Sequence, residues 1–143
     1  MSTARLIDQV YVKTGQVRIV SKNLPVHGDQ AIKAAEAALC AADQGKFWEY
    51  HDKLMESLYV GNRAASALES LKKLAADLGL NTATFTSCLD GGKYTQRVKD
   101  EAAEAQKRGV TGTPTFFVNN AKLVGAQPFE AFKTAIEDAL RGP

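Results

Sequence analysis

The chain has 143 residues, of which 45% are hydrophobic and 24% charged, the size and composition of one globular domain. Its formal net charge of +2 is too small to indicate a nucleic-acid partner or an anionic membrane. No apolar run approaches the roughly 18 residues of a membrane-spanning helix, and no N-terminal signal peptide is present. We therefore expect no membrane insertion, and a protein that is either cytoplasmic or freed of a leader.

The first third of the chain predicts a helix, a strand and a second helix. Apolar residues at helical spacing indicate a helix from Thr3 to about Lys13. Partial alternation predicts a strand over Gln16–Leu24, which Pro25 ends. Asp29 is the predicted N-cap of an alanine-rich helix that runs to about Asp43.

The middle of the chain predicts four more helices. The first has an apolar stripe at intervals of three and four, which indicates a packed face: Phe47, Trp48, His51, Leu54, Met55 and Leu58. The next runs over residues 64–78 and ends at Gly79. Asn81 is the predicted cap of a short helix, and a further helix runs from about Thr95 to Arg108.

The last third predicts a loop, a hairpin and a terminal helix. Proline cannot donate a hydrogen bond within a sheet, so Pro114 belongs at the start of the strand Thr115–Val118. Thr113-Pro114 is a candidate cis peptide, because the proline amide lowers the cis penalty to about 0.5–1 kcal/mol. Asn119-Asn120 suits a tight turn before the strand Lys122–Gly125, and a helix with buried apolar residues follows Pro128.

This order of elements resembles the DsbA-like thiol–disulfide oxidoreductases from about Leu6 to Leu140. The likeness rests on the Thr113-Pro114 strand followed by a hairpin and a terminal helix. It also includes the helical stretches at residues 34–52 and 85–90. Several motifs in the family's order make the signal specific, whereas Thr-Pro alone would be weak.

The resemblance implies an α/β fold: a thioredoxin-like sheet with a helical block inserted at about residues 28–108, in a single domain over 1–143. The family exchanges disulfides through a Cys-x-x-Cys that follows its first strand. This chain contains no Cys-x-x-Cys and begins about where the family's first helix is under way. We therefore expect the first strand and redox motif to be absent. The chain would then be inactive, or a truncated form of a disulfide-forming or isomerising enzyme.

Cys40 and Cys88, the only two cysteines, lie on different predicted helices, 48 positions apart. The resemblance implies a structural disulfide between them, because the family can have a second bridge within its helical block. The alternative is a pair of reduced, buried cysteines that act as small hydrophobic residues. A catalytic dithiol is not indicated, because an exchanging pair needs an exposed, electropositive position.

No metal or cofactor site is predicted. His27 and His51, with the two cysteines, lack the spacing of a zinc site. His51 follows Phe47 by one helical turn, so a packed or capping role fits it better. No Walker loop, dinucleotide fingerprint or Ser-His-Asp set is present.

Thr113 and Pro114 are the candidate substrate-binding residues. In relatives, the backbone of the residue before the cis-proline pairs with an extended substrate peptide, which needs only free N–H and C=O groups. The implied partners are therefore extended peptides or cysteine-containing proteins, in an extracytoplasmic (periplasmic) compartment. The alternative is a loop that only sets the direction of the strand.

Two other functions remain open at this stage. One is a non-catalytic module that holds peptides at Thr113-Pro114. The other is a glutathione-dependent isomerase or transferase in which a serine replaces the nucleophilic cysteine. Ser2-Thr3 is too little to support this function, because no predicted strand precedes it.

The absent first strand would lie between Gln16–Leu24 and Thr115–Val118 in the family's sheet. The run Phe116-Phe117-Val118 is typical of a strand covered on both faces. The two flanking strands can close up and pair directly. We favour instead an edge that is covered, either in a homodimer, in which elements can be exchanged, or by a segment missing from a truncated sequence.

Overall fold

The computed structural model of this protein describes residues 2–143 and divides into two compact units. The sheet unit contains the chain up to Lys22 together with Gln106–Pro143. The helical unit is Asn23–Ala105. The single domain with an insertion at about 28–108 stays a prediction.

The described residues form seven α-helices and a two-stranded sheet. Short π-helical and 3-10 turns lie at Asp8–Val12 and Arg63–Ser66. The elements in chain order are α1 (Thr3–Ile7), α2 (Asp29–Ala42), α3 (Phe47–Tyr59), α4 (Leu68–Asp77), α5 (Thr82–Asp90), α6 (Thr95–Lys107), β1 (Thr115–Val118), β2 (Ala121–Val124) and α7 (Phe129–Arg141).

The sheet unit has its core where α1 and α7 pack together and α7 packs on the hairpin. Ile7, Tyr11, Phe132 and Ile136 are buried there. The Phe132 ring meets the Phe116 ring of β1 edge-on, with 4.8 Å between centroids. Val118 and Leu123 pack against the same cluster, so α7 covers one face of the hairpin.

The helical unit has a core of small and large residues in contact. Ala37, Ala41 and Ala75 have no exposed surface, and such short side chains let helices approach closely. Tyr50 is equally buried, and its hydroxyl donates a 2.8 Å hydrogen bond to the carbonyl of Leu71. Burial raises the pKa of Tyr50, so this hydroxyl stays a neutral donor.

The packed face of α3 differs from the predicted stripe. Trp48 and Met55 are each 44% exposed, whereas Tyr50 and Leu54 are buried. The predicted stripe contained Leu54 but did not include Tyr50. A tyrosine can be buried when its hydroxyl finds a partner, as it does here.

The predicted strand over Gln16–Leu24 was wrong. These residues are irregular, and Ile19 and Val20 are 42% and 59% exposed. The backbone of Gln16 and Val17 instead donates to the carbonyl of Tyr11. A strand needs a ladder partner, and the described sheet contains β1 and β2 alone.

Helix starts were partly predicted. Asn81 is the N-cap of α5, and its side chain accepts a 3.0 Å hydrogen bond from the backbone of Thr84. Asp29 is not an N-cap: Gly28 has that position, and Asp29 is the first residue of α2. A carboxylate in the first turn of α2 still interacts favourably with the positive end of the helix dipole.

Glu101 is a buried carboxylate, 7% exposed, that ties α6 to the start of the helical unit. It accepts hydrogen bonds from the backbone and side-chain nitrogens of Asn23, at 2.9 and 2.7 Å, and from Arg97 at 3.1 Å. Burial opposes the charged form, but these donors outweigh it and hold the pKa of Glu101 below its ordinary value.

We predict that Glu101→Gln lowers the free energy of unfolding by about 1–3 kcal/mol at pH 7, because an amide cannot replace a carboxylate that accepts three bonds. Because the folded-state pKa is lowered, the contribution is fully present above the carboxyl's ordinary pKa and is lost as the pH falls through the lower folded-state pKa. Urea denaturation at pH 7 and at acid pH should therefore show a difference that shrinks on acidification. The control is Glu56→Gln, on an exposed ion pair. Equal losses in both variants would contradict the prediction.

Candidate functional site

The candidate site is the loop at residues 109–114, between α6 and β1. Thr113 and Pro114 are both exposed, and the peptide bond between them is cis. Pro114 lies directly before the first residue of β1, as the sequence predicted. The loop therefore presents its last two residues to solvent at the start of the sheet.

Both ends of the loop are fixed by hydrogen bonds to the hairpin. At its start, the ammonium of Lys122 donates to the carbonyl of Gly109 at 2.7 Å. At its end, the backbone N–H of Gly125 donates to the carbonyl of Pro114 at 2.8 Å. The position of the exposed residues is thus set by β2 and by the residue after it.

The backbone N–H and C=O groups of Thr113 are available for hydrogen bonding. Among the residues that the structure describes, neither its N–H nor its C=O has a hydrogen-bond partner. The hydroxyl of Thr115 donates instead to the carbonyl of Gly112, at 2.7 Å. An exposed donor and acceptor on one residue are the groups that an extended peptide can pair with.

β1 continues this opening as a free edge. It pairs antiparallel with β2, with Thr115 opposite Val124 and Val118 opposite Ala121. Within the described part of the chain, no strand lies on its other side. Antiparallel strands point part of their backbone groups away from a given neighbour, so β1 offers further donors and acceptors beyond Thr113.

The two phenylalanines of β1 lie on opposite faces of the sheet. Phe116 contacts Phe132 of α7 and remains 40% exposed. Phe117 is half-buried, and the Arg108 guanidinium lies over its ring at 3.7 Å from the centroid. The expectation of a strand covered on both faces is therefore not met by the described residues. The cover on the Phe117 face is a charged side chain.

Cys40 and Cys88 form a disulfide between α2 and α5, with an S–S distance of 2.01 Å and Cα atoms 5.9 Å apart. Cys40 is 1% exposed. Since the chain has two cysteines, no free thiol remains. The sequence left open whether the two cysteines are bridged or reduced, and in the structure they are bridged.

A polar network adjoins the Cys88 end of the bridge. Asp43 accepts a 2.7 Å hydrogen bond from Lys93 and a short one from the Tyr94 hydroxyl. Burial opposes its charge, but these two donors hold the pKa of Asp43 below its usual value. This network could not be predicted from sequence patterns, because Asp43 and Lys93 are 50 positions apart.

The histidines do not converge on a ligand. His51 stacks on Phe47, with 5.8 Å between ring centroids, and its Nδ1 lies 3.0 Å from a carboxylate oxygen of Asp52. His27 is exposed. The described residues contain no group of three or more potential metal-ligating side chains. No described helix combines the length and apolar character that crossing a bilayer requires.

Comparison with protein families gives one match across nearly the whole chain: the family described as Thioredoxin, over residues 3–138. Among curated proteins, residues of this chain are 34% identical over 126 positions to the Na(+)/H(+) antiporter NhaA of Herminiimonas arsenicoxydans, covering 88% of this chain and 19% of that protein. The disulfide bond formation protein D of Bacillus subtilis is 25% identical over 95% of this chain and 63% of its own length. The chain thus spans about a fifth of the antiporter and under two thirds of the second relative.

Two solved structures have the same fold. Oxidised BdbD from Bacillus subtilis superposes with a TM-score of 0.85 at 25% identity, over 96% of this chain and 76% of that one. A thioredoxin-like oxidoreductase from Silicibacter pomeroyi DSS-3 gives a TM-score of 0.75 at 26% identity, over 98% and 79%. The predicted α/β thioredoxin-like fold with a helical block, and the likeness to DsbA-like oxidoreductases, are confirmed.

We predict that replacing both cysteines, in Cys40→Ala/Cys88→Ala, lowers the free energy of unfolding by about 4 kcal/mol, because the bridge closes a loop of 48 residues in the unfolded chain. Urea denaturation with and without dithiothreitol measures this loss. The reductant should destabilise the wild type by a similar amount and leave the double variant unchanged. Equal stability of the wild type and the variant would contradict the prediction.

Proposed function

The chain belongs to the thioredoxin family. On that basis we propose that it is a member of the DsbA-like thiol–disulfide oxidoreductases and that its residues bind the protein substrate. The observation that carries the proposal is the exposed Thr113–Pro114 loop, whose two ends are fixed by hydrogen bonds to the hairpin and whose Thr113 backbone has no partner among the described residues. The proposed substrates are extended segments of cysteine-containing proteins, as the name of the disulfide bond formation relative suggests.

The proposed binding mode is strand addition. The free N–H and C=O of Thr113 pair with the backbone of an extended substrate segment. Backbone pairing of this kind does not depend on substrate sequence, which suits an enzyme that acts on many proteins. The loop's anchors hold the pairing groups in place before the substrate arrives, so less ordering is needed on binding.

Residues 1–143 alone are not expected to exchange disulfides. The reaction needs a thiolate that attacks a disulfide sulfur and forms a mixed disulfide, which a second thiolate then resolves. Here both cysteines are joined to each other and Cys40 is buried, so no thiolate is available. The complete reaction needs a Cys-x-x-Cys disulfide beside the loop. Two substrate thiols are then oxidised to one disulfide, and the Cys-x-x-Cys disulfide takes up the two electrons and is reduced to a dithiol.

The proposed compartment is extracytoplasmic. The Cys40–Cys88 disulfide supports this, because such bonds persist in oxidising compartments and are rare where thiols are kept reduced. The alignment with the antiporter covers a fifth of that protein, so ion exchange is no part of the proposal.

A second candidate function is a non-catalytic peptide-binding module, favoured by the absence of a free thiol among the described residues. It uses the same loop and differs only in needing no dithiol. The glutathione-dependent alternative gains nothing from Ser2, whose hydroxyl caps α1 by accepting from the backbone of Arg5 at 3.4 Å. A homodimer in which a second copy covers the β1 edge stays a proposal beside these.

We predict no reduction of insulin by this chain above a no-protein control, with dithiothreitol as the electron source, because the bridge joins two packed helices and the Cys40 sulfur is buried in the folded chain. The matched control is Cys40→Ala/Cys88→Ala, which should give the same background rate. Turnover by the wild type that the double variant lacks would contradict the prediction and assign redox activity to this pair.

We predict that Thr113→Pro abolishes binding of an extended, cysteine-free peptide, because it removes the backbone N–H that strand addition uses. Thr113→Ala keeps both backbone groups and should bind within about twofold of the wild type. Fluorescence anisotropy with a labelled peptide measures affinity, and circular dichroism checks that both variants are folded. Unchanged affinity in a folded Thr113→Pro variant would refute the proposed binding mode.

A further inference from the structure

We propose that small thiols open the Cys40–Cys88 bridge from the Cys88 side alone, and that the Asp43 carboxylate disfavours those thiols that carry a second negative charge. The reaction lies in the helical unit and does not involve the Thr113–Pro114 loop. The Cys88 sulfur is then a modification site, and the chemical class that reacts there is a low-molecular-weight thiol without a carboxylate.

The two sulfurs of the bridge differ in their access to solvent. Cys40 is 1% exposed and belongs to the same core cluster as Ala37 and Ala41, which have no exposed surface. Cys88 is only half-buried, and it packs against the outside of that cluster. Because a thiolate must reach the sulfur that it attacks, a reagent in solution can attack Cys88 and not Cys40.

The proposed step is a thiol–disulfide exchange. A thiolate from solution attacks the Cys88 sulfur, a bond forms between these two sulfurs, and the bond between Cys40 and Cys88 breaks. The attacking sulfur is oxidised to the disulfide level, and Cys40 is reduced and leaves as a thiolate that takes a proton from water. Apolar surroundings disfavour a thiolate, so Cys40 is a poor leaving group and the opening is slow.

A carboxylate lies beside the accessible sulfur. One oxygen of Asp43 is 3.9 Å from the Sγ atom of Cys88. The same oxygen accepts a hydrogen bond from Lys93, and the other oxygen accepts one from the Tyr94 hydroxyl, so the carboxylate is held in place. Burial opposes its charge, but these donors hold the pKa of Asp43 below its usual value, so the group is ionised at neutral pH.

Nearby cations weaken the field of this carboxylate without reversing it. The Lys93 side chain is 56% exposed, so water screens its charge, whereas the Asp43 side chain is 29% exposed and contacts the sulfur. Arg97 forms an ion pair with Glu101. At a separation of about 4 Å in water, one further negative charge on the reagent lowers the rate of attack by roughly fivefold.

The first test identifies the sulfur that is attacked. The folded, oxidised chain is treated with cysteamine, quenched with acid, digested with pepsin at acid pH and analysed by mass spectrometry. We expect the mixed disulfide on the peptide that contains Cys88, and a thiol at Cys40. An adduct on Cys40 would overturn the one-sided opening, and a folded chain whose bridge cysteamine does not open would overturn the modification site.

The second test compares two thiols of different charge. The rate of bridge opening is measured with cysteamine, which has an amine, and with mercaptoacetate, which has a carboxylate, at equal thiolate concentrations and low ionic strength. Asp43→Asn should accelerate mercaptoacetate roughly fivefold and cysteamine less than about twofold. The ratio of variant to wild type for each reagent cancels its intrinsic reactivity. Lys93→Gln should have the opposite effect and slow mercaptoacetate.

Asp77→Asn is the matched control, because Asp77 is another carboxylate of the helical unit that pairs with a lysine. It should leave both rates unchanged, and circular dichroism checks that every variant is folded. Equal acceleration of both thiols by Asp43→Asn would indicate looser packing and overturn the charge effect, and so would unchanged rates for both. None of these variants alters Thr113, so either failure leaves the proposed peptide binding to its own test.

Discussion

The structure depends on a sheet edge that lacks a neighbour. β1 is hydrogen-bonded to β2 on one side, and on the other side the described residues provide no strand. Backbone groups that are buried without partners cost about 1–3 kcal/mol each, so such an edge must face water or pair with a further strand. The same deficit explains why residues 16–24 stay irregular although their composition favours a strand. It also leaves Thr113, at the entrance to β1, with an exposed donor and acceptor.

The disulfide of this chain stabilises the helical unit and is not part of the Thr113–Pro114 loop. The disulfide joins α2 to α5 within the helical unit, where alanines bring the helices close and Cys40 has almost no exposed surface. In a thiol–disulfide oxidoreductase, substrate holding and electron transfer are separate tasks that meet at one site. The Thr113–Pro114 loop is the proposed site of the first task, and the only cysteines of the described residues are joined to each other in a bridge between two helices.

Local features of the fold could be predicted from the sequence, and long-range ones could not. Asn81 caps a helix and Asn119 adopts a positive φ of 52° because their own side chains and neighbours favour these conformations. The strand at residues 16–24 failed because pairing depends on another segment. The predicted stripe of α3 omitted Tyr50, whose burial depends on a partner carbonyl 21 positions away. Arg108 reads as an ordinary helix-end cation until the structure places it on Phe117.

The most direct test of the account is a titration of the ¹⁵N-labelled chain with a cysteine-free extended peptide, followed by amide chemical shifts. If the Thr113–Pro114 loop holds the substrate, the largest shifts will fall on Thr113 and on the residues next to the loop, and the helical unit will show little change. Shifts that fall instead on the exposed aromatic residues of α3, such as Trp48 and Tyr59, would contradict the account. That result would place the peptide surface on the helical unit.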